Sequence, residues 1–283
     1  MTRKTPVTAR FLQRLIEVGD QICFSALRQW EFDRTLAGAA AQRPADFTPA
    51  VFASNPFSNR IYRKMGDLPQ FSAEAEQVAL RMGVIASVEH VLACLDEMQA
   101  FRAALAPTSA DSLKSDAEEE QLRAKIEAWS GKSPTAAYFR TIGMFRLLRN
   151  HYAHLNDKPH PALKAYMASH ATALNRFWTK APTQLHGLDF RTIAAVPLTF
   201  DLAIAVVNLL RVSLIHIDEM LAATLPFDNV VAWLLGEVMK HPRAKSLAVD
   251  RLTSKVRLRM EMEFAHSGTA DTIRPVVERL RTR

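Results

Sequence analysis

Residues 200 to 224 read FDLAIAVVNLLRVSLIHIDEMLAAT, a stretch whose body is almost wholly apolar. Its leucines, alanines and methionine favour a helix, and it contains neither glycine nor proline, the residues least compatible with one. A helix that is apolar on all sides is buried, either inside a helical protein or against another chain. We therefore expect a central buried helix or a dimer interface. Near its end, His216, Asp218 and Glu219 are expected to be solvated.

The whole chain has a composition typical of a helical protein. Its 283 residues are 48% hydrophobic, and they include 9 glycines and 4 tyrosines. Ala, Leu, Arg, Glu and Met are abundant, which favours helix over sheet and allows a sizeable core. No segment shows the alternating valine, isoleucine and threonine pattern of a strand. An all-α fold is therefore predicted, in one large domain or two smaller ones.

Apolar periodicity, capping residues and prolines divide the chain into segments. A first helix is predicted over residues 6–36, and a second is predicted to begin at Ser72, a good N-cap, and to end near Leu105. Between them lies an irregular stretch, residues 37–71, with four prolines and four phenylalanines. Such loops often act as lids, covers or partner-binding arms, and the phenylalanines indicate that this one packs on the protein. Further helices are predicted over about 115–129, 134–156, 161–180, 200–224, 228–239, 244–265 and 269–281.

The cysteines and the N-terminus indicate a reduced, cytoplasmic protein. The first residues lack the apolar stretch and cleavage site of a signal peptide, and no uninterrupted apolar run reaches the roughly 18 residues of a membrane span. Cys23 and Cys94 fit no metal-ligand spacing and are interpreted as small apolar residues. We expect a cytoplasmic location, no membrane association, no metal and no cofactor. The net charge of +7 permits a polyanionic partner, although many mildly basic proteins bind no nucleic acid.

The segment RNHYAH at residues 149–154 combines residue types suited to phosphate chemistry. At about 100° per residue, Arg149 falls in the apolar stripe of its helix, about 20° from Tyr138. A guanidinium cannot lie in a core without acceptors, because its charge cannot be neutralised there. Arg149 is therefore expected either to pair with a buried carboxylate or to face a cleft that binds an anion. Glu89 and Asp96, on the long preceding helix, are the candidate carboxylates.

The other polar residues of the segment could act on the same anion. His154 follows Asn150 by one helical turn, so the two share a face, and a phosphate at this helix end could meet both side chains and Arg149. A histidine with a pKa of about 6.5 exchanges protons near neutral pH. Arginine stays charged and stabilises the added negative charge of a pentacoordinate phosphate. A structural histidine is the alternative interpretation of His154.

This segment resembles the RNA-cleaving motif of HEPN domains, which are helical bundles marked by an arginine, four to six intervening residues and a histidine. A polar residue often follows the arginine in that family, and Asn150 occupies this position here. The resemblance covers about residues 72–180. Three further pairs have the required spacing but not the polar residue: Arg146 with His151, Arg211 with His216, and Arg259 with His266.

The resemblance implies a multi-helix bundle of HEPN type with additional flanking helices. Its HEPN-like core would span residues 72–225, with basic C-terminal helices, residues 226–283, packed on the same domain. The implied activity is metal-independent endoribonuclease cleavage, in which the ribose 2′-OH attacks its own phosphodiester and leaves a 2′,3′-cyclic phosphate. A homodimer is also implied, as are a toxin or abortive-infection role against phage and a cognate antitoxin or defence-system partner.

Roles within this activity follow from the same resemblance. The catalytic residues would be Arg149, Asn150 and His154. The possible supporting residues are Glu89, Asp96, His151 and Arg146, and the residues that could follow the RNA backbone are Arg257 and Arg259, for which a solvated helix face is the alternative. Two other interpretations stay open: a non-catalytic HEPN-like module that binds RNA, nucleotide or a protein partner, and an unrelated helical protein in which Arg149 belongs to a core ion pair.

Overall fold

The computed structural model describes residues 4–153, 159–181, 185–264 and 268–282. Within these ranges the regular structure is helical, with no β-strand and one isolated bridge between Phe47 and Lys64. The all-α prediction is confirmed. The α-helices are α1 (Pro6–Gln42), α2 (Thr48–Val51), α3 (Leu68–Leu105), α4 (Glu118–Ser130), α5 (Ala136–Ala153), α6 (Pro161–Trp178), α7 (Phe200–Ala222), α8 (Phe227–Met239), α9 (Val249–Glu263) and α10 (Ala270–Arg281).

The start of α3 differs from the prediction. The helix begins at Leu68, so Ser72 lies inside it and is not its N-cap. The Ser72 hydroxyl donates to Asp33 Oδ1 at 2.9 Å and accepts a hydrogen bond from the amide of Gln29. Because α1 supplies these partners, the hydroxyl has no need of the backbone groups that an N-cap would satisfy. The N-cap prediction was therefore wrong.

The segment between α1 and α3 is folded onto its neighbours, as its phenylalanines predicted. It contains α2 and two 3₁₀ turns, Ser58–Arg60 and Met65–Asp67. Met65 is fully buried in a small core with Leu36 and Leu68, against which Phe52 and Phe71 pack. The segment is shorter than predicted, because α1 continues to Gln42.

The chain forms two compact units, each built from separate stretches of sequence. Unit 1 contains residues 1–15, 88–146 and 209–283, and unit 2 contains residues 16–87 and 147–208. In unit 1 the basic C-terminal helices share a hydrophobic core with the end of α3, where Phe101 meets Trp233 and Phe264. In unit 2, α1 and α3 approach closely at Gly83, where an added Cβ would lie 2.7 Å from Ile22 Cγ1.

Helix α7, the apolar stretch quoted first, is buried within the chain. The buried side chains include Val206, Leu210, Leu214 and Ile217, which agrees with a central buried helix. By length and apolarity, the segments Met65–Leu105 and Phe200–Ala222 could each cross a membrane. Buried core helices have the same properties, so these features alone assign neither segment to a membrane.

Asp218 is 1% exposed, so the expectation that it would be solvated was wrong. Its Oδ2 accepts the backbone N–H of Thr5 at 2.8 Å, and its Oδ1 accepts the hydroxyls of Thr8, at 2.6 Å, and of Thr5. Burial raises the pKa of this carboxyl, even though the threonine hydrogen bonds act to lower it. Since Thr5 precedes α1, this carboxylate fixes the first turn of α1 against α7.

We predict that Asp218→Ala lowers the free energy of unfolding by about 2–3 kcal/mol, because three buried donors lose their acceptor. Urea unfolding followed by circular dichroism measures the change. The neighbouring Glu219→Ala is the control. The Glu219 carboxylate is 43% exposed and forms an ion pair with the partly exposed His216. Its removal is therefore expected to change the free energy of unfolding by no more than about 0.5 kcal/mol. Equal losses in the two variants would contradict the role assigned to Asp218.

Candidate active site

The structure describes two of the three predicted catalytic residues. Arg149 and Asn150 lie in the last two turns of α5, and both are partly buried. His154 and the predicted end of the helix near Asn156 lie outside the described residues. Helix α5 begins at Ala136, two positions after the predicted first residue, Pro134.

Arg149 and Asn150 are joined by a hydrogen bond. The Nη1 of Arg149 donates to Oδ1 of Asn150 at 2.8 Å. Successive residues on a helix point in different directions, so this contact depends on the length of the arginine side chain. An arginine donor fixes which end of the asparagine amide faces it, because only the oxygen accepts. The Asn150 NH₂ group therefore points away from the guanidinium.

The carboxylates predicted on α3 are exposed. Glu89 and Asp96 both belong to the α3 residues of unit 1, and neither is buried. Partial burial is the main reason that the pKa of Asp96 is raised, and the charge of Glu118 adds to the shift while Lys125 opposes it. The electrostatic neighbours resolved for Asp96 are thus on α4. Pairing of either acid with Arg149 stays a prediction.

A buried carboxylate is found at Arg146, one turn before Arg149. Glu119 of α4 has a side chain 1% exposed, and its two oxygens accept three hydrogen bonds of 2.9 to 3.1 Å from the Arg146 guanidinium. Sequence reasoning missed Glu119, although its spacing to the buried Leu122 and Ile126 places it on the inner face of α4. The pair gives Arg146 a structural role in unit 1.

The remaining predicted supporting residue, His151, lies beside a buried aromatic ring in unit 2. His151 is 9% exposed and Tyr152 is 6% exposed. The Arg81 guanidinium of α3 lies 5.5 Å from the centroid of the Tyr152 ring. Burial, and after it the charge of Arg81, lower the pKa of His151, whereas burial raises the pKa of Tyr152 to about 12. This environment favours the neutral form of His151, as suits a core histidine rather than a solvent-facing proton carrier.

Arg81 is a cation near the motif that sequence reasoning missed. Periodicity could place it only on α3, because its approach to Tyr152 joins residues 71 positions apart. Among the described residues, Arg81 Nε, His151 Nδ1 and the Tyr152 hydroxyl are buried without a hydrogen-bond partner. Buried polar atoms of this kind commonly receive water or a ligand.

The two predicted RNA-contacting arginines differ in their surroundings. Arg257 is exposed, whereas Arg259 is partly buried and forms an ion pair with Glu263, with a distance of 3.0 Å from Nη2 to Oε2. Arg259 also lines a groove of about 700 Å³ between α8, the turn at residues 242–244 and α9. The other basic side chains of this groove are Arg243, Arg251, Lys255 and His241. Arg259 shares one face of α9 with Arg251 and Lys255, because the three residues are spaced four positions apart.

We predict that Arg146→Met lowers the free energy of unfolding by about 3–5 kcal/mol, because it leaves the Glu119 carboxylate buried without a compensating charge. The double variant with Glu119→Leu should recover most of this loss, since both charges are then removed. Arg123→Met is the control: its pair with Glu120 is about one-third exposed and contributes up to about 1 kcal/mol. Urea unfolding that shows no recovery in the double variant would contradict the pairing.

The His151 environment gives a pH prediction. The pKa of His151 in the folded protein lies below the ordinary 6.5. The neutral histidine therefore contributes stability that is fully present above pH 6.5, and this stability is lost as the pH falls from 6.5 through the folded pKa. We expect Arg81→Gln to raise the pKa of His151 without restoring 6.5, since burial, the larger cause, remains. An NMR titration of the imidazole protons measures the shift. Arg176→Gln removes a charge that does not contribute to the shift, so it should leave the pKa of His151 unchanged. If His151 titrates at the same pH in the wild type and in Arg81→Gln, the effect assigned to Arg81 is contradicted.

Neither a search for metal-ligand clusters nor comparison with known proteins assigns a further role to this site. Among the described residues, no group of three or more His, Cys, Asp or Glu side chains is arranged to hold a metal ion. No protein-family model, curated protein or solved structure matches this chain. The HEPN resemblance therefore depends on the RNHYAH segment and on its helical surroundings, and any function is argued from the chemistry of these residues.

Proposed function

We propose that this protein is a HEPN-type endoribonuclease that cleaves RNA through attack of a ribose 2′-OH on the adjacent phosphodiester. The observation that carries the proposal is the hydrogen bond from Arg149 to Asn150 near the end of α5. It joins a cation and a directed amide that precede His154 in the sequence by five and four residues. These are the groups that a metal-independent phosphoryl transfer needs: donors for the phosphate oxygens and a side chain that moves protons.

The roles divide as follows in this proposal. His154 accepts the proton of the 2′-OH as its oxygen attacks phosphorus, and the bond from phosphorus to the 5′-oxygen breaks. The guanidinium of Arg149 and the NH₂ group of Asn150 stabilise the extra charge of the pentacoordinate state. The 5′-oxygen takes a proton from water, and the proton held by His154 is afterwards released to solvent, so the products are a 2′,3′-cyclic phosphate and a 5′-hydroxyl. A homodimer in which two copies bring their motifs to one cleft is part of the proposal, by resemblance.

The physiological part of the proposal also comes from the resemblance. A ribonuclease of this type would act in the cytoplasm as a toxin or abortive-infection protein against phage. A cognate antitoxin or another defence-system protein would hold it inactive in an uninfected cell. No membrane, metal or cofactor takes part in the proposed reaction.

A specific observation favours a second candidate function, RNA binding without cleavage. The groove between α8 and α9 is lined by Arg243, Arg251, Lys255 and Arg259, with Glu237 as its acidic lining residue. Arginine and lysine side chains along a groove bind phosphodiester backbones with an affinity that falls steeply with salt. A non-catalytic HEPN-like module would use this groove and would leave the RNHYAH segment without a chemical role.

We predict that the purified full-length protein cleaves single-stranded RNA in the presence of EDTA and leaves 2′,3′-cyclic phosphate ends. Arg149→Ala and His154→Ala should each lower the cleavage rate by about 100-fold or more, because each removes a group that acts in the transition state. Asn150→Ala should also lower it. Cleavage of an end-labelled RNA, with chemical mapping of the new ends, measures these effects.

The chain supplies its own matched control. Arg211 and His216 satisfy the same arginine–histidine spacing, and the partly exposed His216 stacks on Tyr138 with ring centroids 4.5 Å apart. His216→Ala should leave cleavage unchanged. Undiminished RNA cleavage by the His154→Ala variant would contradict the assignment of the catalytic site to RNHYAH. RNA that is bound but not cut by the wild type, with binding lost in Arg251→Gln/Lys255→Gln, would establish the second candidate function instead.

A further inference from the structure

Unit 2 contains a small aromatic pocket that none of the candidate catalytic residues lines. It lies between α1, the segment around α2 and the first turns of α3, and its volume is about 220 Å³. Four phenylalanines form its walls: Phe32 of α1, Phe52 and Phe57 of the connecting segment, and Phe71 of α3. Because aromatic walls pack against the face or edge of another ring, the pocket suits a planar occupant.

The walls are held in place by contacts outside the pocket. Phe52 packs on the core formed by Leu36, Met65 and Leu68. The Arg63 guanidinium covers the Phe71 ring at 4.5 Å from its centroid. A site whose walls are already fixed loses little conformational entropy when it is filled, which favours binding of even a small molecule.

Four of the five polar side chains that line the pocket make hydrogen bonds within the protein, and none of the lining residues is charged. Gln29 donates to the Ser72 hydroxyl and to Asp33 Oδ1, the Thr48 hydroxyl donates to the carbonyl of Arg63 at 2.8 Å, and Asn55 Oδ1 accepts the N–H of Phe57 at 2.9 Å. A charged or strongly polar occupant would lose its hydration without gaining equivalent partners. The occupant is therefore uncharged and largely apolar.

The volume sets the size of that occupant. An apolar cavity of about 150 Å³ holds benzene, and pockets for drug-sized ligands begin at about 300 Å³. A volume of about 220 Å³ lies between these values and fits two fused rings. The exposed fractions of Phe32 and Phe57 are 47% and 62%, so a ring system seated here would also remove apolar surface from water.

We propose that this pocket binds a neutral, planar molecule of two fused rings, of which indole is a simple example. The site gives the protein a small-molecule ligand independent of RNA cleavage. A nucleobase is a poorer occupant, since its polar edge needs several hydrogen-bond partners, and the Gln29 NH₂ group, the Thr48 hydroxyl and Asn55 Oδ1 already form hydrogen bonds within the protein.

The test is a titration of the full-length protein with indole, followed by two-dimensional NMR and calorimetry. The expected dissociation constant is on the order of 1 mM or tighter, as befits a fragment of this size, with shifts confined to residues around the pocket. Adenine, a planar bicycle with a polar edge, should bind about ten-fold more weakly or not at all. Indole that fails to bind in the millimolar range would overturn the proposal.

Substitution of alanines on α3 provides the matched pair of variants. Ala75 lines the pocket, whereas the exposed Ala73 does not. Ala75→Phe places a ring in the pocket from an exposed helical position, so it should weaken indole binding by about ten-fold or more and leave the fold intact by circular dichroism. Ala73→Phe adds the same side chain and should bind indole like the wild type. If both variants bind indole equally weakly, or if both bind it like the wild type, the assignment of indole to this pocket would be overturned.

Discussion

The ion pair between Glu119 and Arg146 constrains the helix that carries the candidate site. A carboxylate that is 1% exposed needs a cation with good geometry, and Arg146 supplies three hydrogen bonds to it. This contact fixes the rotation of α5 about its own axis. At about 100° per residue, Arg149 and Asn150 then lie about 60° and 40° to either side of Arg146, and His151 lies about 140° away. The hydrogen bond between Arg149 and Asn150 spans the arc between these two positions.

The fold class and most helices could be predicted from the sequence, because composition and periodicity act locally. The errors concern polar residues whose partners are far away in the chain. Ser72 has the local features of an N-cap, but Asp33, 39 residues earlier, provides its hydrogen bond. Asp218 lies among polar residues at the end of α7, and its donors come from Thr5, 213 residues earlier. No local pattern contains either contact.

The site was predictable to a different extent for each residue. The expectation that Arg149 pairs with a carboxylate or faces an anion-binding cleft stays a prediction. The buried carboxylate that the structure does describe lies at Arg146, and it comes from an acid on α4 that sequence reasoning did not consider. The buried-face spacing of Glu119, Leu122 and Ile126 would have identified it. The position of Arg81 over Tyr152 was beyond reach, since tertiary packing alone brings α3 and the end of α5 together in unit 2.

His151, the first of the two histidines of RNHYAH, is poorly suited to proton transfer, which bears on the proposed mechanism. His151 is buried, and burial and Arg81 both disfavour its charged form. A group that cannot readily gain a proton near neutral pH is a poor general base, because the base must become charged as the 2′-OH attacks. The same environment makes it a poor general acid, since it disfavours the imidazolium form that donates a proton. In the proposed reaction, proton transfer is therefore assigned to His154. The arginine that has the motif's spacing to His154 is Arg149, whereas Arg146 has that spacing to His151.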